Sequence, residues 1–425
     1  MSILIKNVNI VNSTGVESSV DIYIENSIIK DIKKNLDIEV QKIIDARGLY
    51  VLPGLVDAHC HLRDPGYEYK EDISTGSRSA AKGGFTSIAC MPNTDPVADN
   101  PAVVTYIIEK AKKEALVNVY PIGAITKGQK GEELAEMGSM KEAGIVAVSD
   151  DGRPVMKSSV MKKALIYAGQ FNLPVISHCE DLDLAEEGSM NEGFMSTKLG
   201  LRGIPAAAES VMVARDVLLS EYTGIPVHIA HVSTKSSVEI IRNAKKNGVK
   251  VTCETCPHYF TLTEEACEGY DTNAKMNPPL RTQEDVEAII EGLKDGTIDI
   301  IATDHAPHHF DEKNVEFDNA PNGIVGFETA LSLSYTALVE TKVITLPQLV
   351  EKLSTGPARI LNLKKGVIDV NEDADLILVD FDTEYTIDVS EFASRGKNSP
   401  FDGFKVKGKN MMTIVGGKIV YVADD

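Results

Sequence analysis

Eight strand-like runs alternate with helical patterns through the middle of this chain, and no other feature limits its fold as much. The runs fall at 51–59, 84–91, 117–122, 144–149, 174–178, 226–231, 249–254 and 298–304. Helical apolar spacing occupies 100–115, 132–142, 156–170, 206–221, 234–246 and 283–294 between them. Strands alternating with helices imply a parallel sheet covered by its crossovers. Eight such units over about 250 residues match a (β/α)8 barrel in count and size. A doubly wound open sheet with insertions is the alternative. It is weakened because no G-x-G-x-x-G follows the first strand.

The flanks read differently. Residues 1–50 alternate apolar and polar positions, with Ile3, Ile5, Val8 and Ile10, then Val20, Ile22, Ile24 and Ile28, and with turn residues at 12–15 and 26–27. The C-terminal end repeats this character at 374–380 and at 413–421, around Gly416-Gly417. Short antiparallel strands at both ends predict one small sheet domain shared by the termini. The expected organisation is therefore α/β. A TIM barrel spans 51–362, and a β-sandwich is formed from 1–50 and 363–425. With 425 residues, 43% of them hydrophobic, the chain can bury both cores.

Charge and cysteine usage narrow the setting. A net charge of −20 repels phosphate backbones, so nucleic acid is not an expected partner. No apolar run reaches bilayer length, and the N-terminus lacks a basic-then-apolar signal pattern. The six cysteines are scattered, not set in a disulfide framework, and Cys253-x-x-Cys256 has no second pair at zinc-ribbon spacing. A soluble enzyme in the reducing cytoplasm fits these features.

In barrels the catalytic residues sit at the C-terminal ends of strands. The first run ends in His59-Cys60-His61, whose imidazoles face one side because strand residues two apart point the same way. Asp150 and Asp151 end the fourth, His178 the fifth, His231 the sixth and Asp304 the eighth. Each alone also reads as an ordinary strand-end polar group. Together they place four imidazoles and two or three carboxylates around one mouth. That is too many ligands for one tetrahedral zinc, and suits two ions sharing a carboxylate. Strand alternation lets only one of Asp150 and Asp151 face a given metal.

These residues, read with their neighbours, carry a resemblance. The blocks are residues 53–66 (PGLVDAHCHLRDPG), 89–94 (ACMPNT), 148–152 (VSDDG), 176–180 (ISHCE), 228–233 (HIAHVS), 254–258 (ETCPH), 276–281 (MNPPLR), 302–308 (ATDHAPH) and 323–328 (GIVGFE). They resemble the amidohydrolase superfamily, and closely the bacterial type I dihydroorotases, over essentially the full length. The resemblance implies that His59, His61 and Asp304 hold one zinc ion and that His178 and His231 hold a second. Asp151 bridges them, where hydantoinases and allantoinases use a carboxylated lysine. The implied reaction is reversible hydrolysis of dihydroorotate to N-carbamoyl-aspartate in pyrimidine synthesis, with Asp304 moving the proton.

The resemblance also implies substrate contacts from His61, Asn93, Asn277 and His308, with backbone groups at Asn322 and Gly323. Asn322 stands where close relatives carry an aromatic residue. Arg63, two residues past His61, offers a planar guanidinium for the substrate carboxylate. His228 and His258 read as structural histidines, and the charged segment 305–326 reads as a lid. A hydantoinase or allantoinase is the rival enzyme, disfavoured by the missing lysine. A silent homologue acting as a scaffold is the rival from another class, disfavoured because no ligand is lost. The partners implied are a small-molecule substrate, a second copy in a homodimer and possible association with aspartate transcarbamoylase.

Overall fold

A computed structural model describes residues 2–423; Met1, Asp424 and Asp425, which the terminal segments were expected to include, lie outside the described residues. All eight expected barrel strands form, at Leu55–Cys60, Phe85–Cys90, Asn118–Pro121, Val148–Ser149, Val175–Ser177, Val227–Ile229, Val251–Thr255 and Ile300–Ile301. Consecutive strands pair in parallel. Two isolated bridges complete the ring, Gly123 with Val148 and Cys60 with His305. The second is reinforced where Asp304 N–H donates to His59 O at 3.0 Å and His61 N–H to His305 O at 2.9 Å. Barrel closure therefore happens at the histidines themselves, so the backbone that seals the ring also fixes where they stand.

The first strand-like run is not one strand. Tyr50–Pro53 belongs to the terminal sheet, where it pairs with Ser2–Asn12 and Leu376–Asp380. The barrel strand begins only at Leu55. The break falls at Gly54, where an added Cβ would lie 2.1 Å from Thr86 Oγ1. Only glycine lets the backbone pass that close as it turns from sheet to barrel.

Helices cover the barrel at Pro101–Glu114, Met137–Ala143, Ser158–Gln170, Ala206–Thr223, Lys235–Lys246 and Gln283–Asp295. The second predicted helix starts five residues late, at Met137. Its first residues are drawn into a loop instead, with Lys127 N–H donating to Glu133 O at 2.8 Å and Ala135 N–H to Ile125 O at 2.9 Å. A further helix, Ile73–Lys82, escapes sequence reading because it is rich in Ser, Gly and Ala. A reciprocal cap starts it, with Thr75 N–H donating to Asp72 Oδ1 at 2.7 Å.

The terminal β domain contains eight strands over its own core of Ile3, Ile5, Ile22, Ile24, Leu376 and Ile414. Its strands are not all antiparallel as predicted. Lys42–Asp45 and Tyr50–Pro53 run parallel to Ser2–Asn12. The hairpins to Gly15–Glu25 and Ile28–Lys33 use one side of that first strand. The returning chain must pair on the other side, in the same direction. Among the described residues no helix is long and apolar enough to cross a membrane.

Candidate metal centre and active site

Asp151 sits at the middle of the imidazole cluster. Its Oδ1 lies 3.4 Å from His59 Nε2, 3.5 Å from His178 Nδ1 and 3.4 Å from His231 Nε2. Its Oδ2 lies 3.4 Å from His61 Nε2. Asp304 Oδ1 closes the other side, 3.1 Å from His61 Nε2 and 3.5 Å from His59 Nε2. Two groups result, His59 with His61 and Asp151, and His178 with His231 and Asp151. Asp150 points away. It accepts from the backbone N–H groups of Ile125 and Thr126 and from the Thr126 hydroxyl. Neighbouring carboxylates thus take opposite sides, as alternation requires.

Outer partners set which ring nitrogen faces inward. His59 Nδ1 donates to Glu254 Oε1 at 2.7 Å, and His228 Nε2 donates to the other oxygen of Glu254 at 3.1 Å. His228 Nδ1 then accepts from the Thr252 hydroxyl at 2.8 Å. His61 Nδ1 donates to Asn93 Oδ1 at 2.9 Å, and His178 Nε2 to Glu180 Oε2 at 3.2 Å. These bonds leave His59 Nε2, His61 Nε2 and His178 Nδ1 as lone-pair donors aimed at the same point. His228, read from the sequence as merely structural, is part of this outer layer.

The donor set fits divalent metal ions. His59 Nε2 is buried and makes no hydrogen bond, an expensive state unless a cation completes it. His178 Nδ1 and His231 Nε2 face each other at 2.8 Å, within hydrogen-bonding distance, so both ring nitrogens are directed at the same point beside Asp151. Imidazole with carboxylate suits zinc and its neighbours in the first transition row. The electrostatics agree. Burial disfavours charge on His59, but Asp151 and Asp304 outweigh it and hold the imidazole well above its usual range. Burial likewise raises Asp151, yet His59, His178 and His231 hold its carboxyl well below the usual value. The cluster is built to contain positive charge.

The backbone is strained at the same place. Arg63, His231 and Asp304 have φ of 60°, 33° and 46°, in the left-handed region that costs a non-glycine residue about 1–3 kcal/mol. Such strain survives only where the surroundings impose it, and here it turns strand-end side chains into the mouth.

A cavity of about 250 Å³ opens over Asp151, His61, His178, His231 and Asp304, walled by Arg63, Asn93, Gly152, Met276, Asn277, Ala306, His308, Asn322 and Gly323. It has room for one metabolite-sized ligand. A larger cavity of about 580 Å³ lies near Lys82, Glu328 and Tyr385, but the groups able to hold a metal ion cluster elsewhere, so the chemistry marks the site rather than the volume. All the candidate contact residues come together here. Arg63 Nε donates to Pro307 O at 3.2 Å, and Nη2 lies 3.3 Å from His308 Nε2. The neighbouring Asp64 pairs instead with Lys110 at 2.7 Å. Burial pushes the His308 imidazole well down, and Arg63, Lys70 and Lys313 push it further, so it is neutral and donates to Asn322 O at 2.9 Å. Gly323 N–H already donates to Lys275 O at 2.9 Å. What this stretch offers a ligand is therefore carbonyl lone pairs, since each carbonyl oxygen carries two.

Segment 305–326, read from the sequence as a lid, is anchored along its length. Lys275 Nζ donates to Phe317 O at 2.7 Å, Thr272 Oγ1 to Lys313 O at 2.6 Å, Ser189 Oγ to Asp318 Oδ1 at 2.6 Å and Lys313 Nζ to Pro321 O at 2.8 Å. Sequence reasoning missed Glu254 and Glu180. Both left a signal, an acid inside a buried strand-like run and an acid two residues past His178 on the same side. All six cysteines are buried and free.

Known proteins are similar to this chain in sequence and fold. A family model described as Dihydro-orotase-like matches residues 48–237. A dihydroorotase of Acetivibrio thermocellus is 63% identical, covering 98% of this chain and 98% of that protein. One of Ruminiclostridium cellulolyticum is 61% identical with the same coverage. Among solved structures, an L-hydantoinase (dihydropyrimidinase) from Arthrobacter aurescens superposes with a TM-score of 0.89 at 27% identity, covering 100% of this chain and 97% of that one. A dihydropyrimidinase from Brevibacillus agri gives 0.87 at 25%, covering 99% and 95%. The hydantoinases share the barrel with its β domain, while the nearly full-length identity lies with one group of enzymes: the chain belongs to the dihydroorotase family.

Proposed function

We propose that the chain catalyses the reversible, zinc-dependent interconversion of dihydroorotate and N-carbamoyl-aspartate in pyrimidine synthesis. The observation that carries this is Asp151, shared by two imidazole groups at the floor of a cavity whose wall holds Arg63. His59, His61 and Asp304 would hold one zinc ion, His178 and His231 the other, with Asp151 common to both. When bound, such ions lower the pKa of water and polarise a carbonyl. The protein's own residues do the rest. Arg63 takes the substrate carboxylate, with Asn93, Asn277 and His308 orienting the ring. Hydrolysis forms a C–O bond at the ring amide carbon and breaks the C–N bond. Asp304 Oδ accepts the proton of the attacking water and returns it to the leaving nitrogen. The cavity's small volume limits the water that can compete.

Turnover of dihydroorotate alongside metal content tests the reading. Activity on dihydroorotate that disappears with the metal supports it. A preference for an uncharged hydantoin or dihydrouracil would move the chain to the hydantoinase chemistry. Arg63→Met should lower kcat/KM for dihydroorotate about ten- to hundredfold, because hydrogen bonds to charged groups contribute about 1.5–3 kcal/mol. An uncharged cyclic imide should suffer far less; equal losses on both would make Arg63 structural.

Glu254→Gln should weaken metal retention about 10–100-fold, the usual effect of losing an outer-shell partner of a ligating histidine. A carboxamide can present a donor to His59 Nδ1, which removes the preference for the metal-facing tautomer. Competition against a chelator reads this directly, and wild-type affinity in the mutant would remove the role.

The β domain comprises 1–50 and 363–425 together with 51–53, which pair in its sheet, and the rest of 51–362 forms the barrel. The enzyme works in the cytoplasm, which the buried free thiols favour, as a homodimer able to associate with aspartate transcarbamoylase. An exposed apolar stripe of Val211, Leu218 and Tyr222 on Ala206–Thr223 supports a partner surface. The solution mass, alone and with that enzyme, tests both associations.

A further inference from the structure

The catalytic mouth depends on a residue from the far end of the chain. Asn398 stands 90 residues beyond His308 and is 3% exposed. Its Nδ2 donates to Ala306 O and to Gly323 O, both at 2.9 Å. Its Oδ1 accepts from His308 N–H at 2.9 Å, and its own carbonyl accepts from Val325 N–H at 3.0 Å. One side chain thus joins the two ends of the segment that carries His308 and Gly323. Both of those residues line the cavity.

The approach is too close to be incidental. A Cβ at Gly396 would lie 2.7 Å from Pro307 Cβ and 2.8 Å from Asn398 Oδ1. Gly323 has φ +150°, and a Cβ there would lie 2.6 Å from Ala306 O. The segment bearing Asn398 is itself pinned to the barrel by two buried carboxylates. Glu328 Oε1 accepts from Ala393 N–H at 2.8 Å and Ser394 N–H at 3.2 Å, and Glu71 Oε2 accepts from the Ser394 hydroxyl at 2.5 Å. The barrel holds the C-terminal segment, and that segment holds the cavity wall.

We infer that Asn398 is a positioning residue for substrate, fixing His308 and Gly323 at the cavity wall and so setting affinity rather than the chemical step. This rests on the reaction proposed above. Asn398 lies outside the metal cluster, so its loss acts on bound substrate and product alike, which raises KM and leaves kcat nearly intact.

The test compares wild type and Asn398→Ala as holoenzymes. The variant should keep wild-type metal content, raise KM for dihydroorotate about tenfold and hold kcat within about threefold. Amide exchange at 306–323 should accelerate while that of the barrel strands does not. A lower melting temperature with unchanged KM would overturn the inference by making the residue merely structural. A rate loss that tracks metal loss would overturn it as well. If Asn398→Ala does not fold, Asn398→Ser, which keeps a hydroxyl, is read by the same criteria. If wild type fails to turn over dihydroorotate, the proposed reaction falls. The exchange arm then decides the clamp, with faster exchange at 306–323 supporting it and unchanged exchange overturning it.

Discussion

Asp304→Asn should slow both ring opening and ring closure by about 10²–10⁴-fold, the range that a positioned proton-transfer group contributes. Asparagine keeps the shape and one oxygen that could serve as a metal ligand beside His61 Nε2, which lies 3.1 Å from the native carboxylate. It cannot carry a proton. Burial raises the Asp304 carboxyl, but the imidazoles of His59, His61 and His231 outweigh this and hold it below the ordinary carboxylate range. The group is therefore ionised at the start of either direction: in hydrolysis it accepts the water proton and returns it to the leaving nitrogen, and in ring closure it takes the proton of the attacking nitrogen and returns it to the departing oxygen. Rates in both directions should be measured with the metal content of each sample and again after added zinc. A mutant that holds its metal and stays within about tenfold of wild type, about 1.4 kcal/mol of barrier, would end the assignment.

The equilibrium supplies a control that no mutation alters. N-carbamoyl-aspartate carries two carboxylates and dihydroorotate one, so ring closure consumes a proton. While those carboxylates are ionised, each unit fall in pH moves the equilibrium about tenfold toward dihydroorotate by mass action on the proton. Asp304→Asn should reach the same end point as wild type, only later. A different end point would point to a side reaction instead of a slowed catalyst.

Much of this site is legible in the sequence because barrel strands place chemistry at one end and alternate sides with a period of two. His59 and His61 share a side for that reason. His178, His231 and Asp304 each end a run whose length and composition mark it as a strand. The alternation also says that Asp150 and Asp151 oppose each other, although only the structure shows Asp150 turned to Thr126. What periodicity cannot carry is contact between distant segments. Glu254 reads as an acid in a strand until His59 and His228 are seen on its two oxygens. Asn398 lies in a stretch with no period, and its role exists only through the return of the chain to Ala306 and Gly323. The parallel pairing of Tyr50–Pro53 is hidden for the same reason, since a strand's partner is a long-range fact.

Asp151→Ala should weaken metal binding in both halves of the centre. Among the described residues Asp151 is the side chain common to both groups able to hold a metal ion. Without it, the second keeps only two imidazoles from the barrel wall, too few for a stable zinc site that normally has three protein ligands or more. The first keeps Asp304 and so should retain metal better, which makes the loss unequal. Bound metal per chain should fall, with apparent affinity reduced by at least the 10–100-fold typical of outer-shell changes. Activity should fall with it. Asp151→Asn offers a finer comparison, since the carboxamide keeps one oxygen ligand while removing the negative charge between two cations. Its retention should lie between those of Ala and wild type if both oxygen and charge matter. No lysine is among the described residues lining the cavity, so wild-type activity should not respond to removal of bicarbonate, unlike a centre bridged by a carboxylated lysine. Metal analysis of dialysed Asp151→Ala, together with wild-type assays in carbonate-free buffer, reads both expectations. Full metal content in the mutant, or a bicarbonate requirement in the wild type, would mean that some other group bridges the ions.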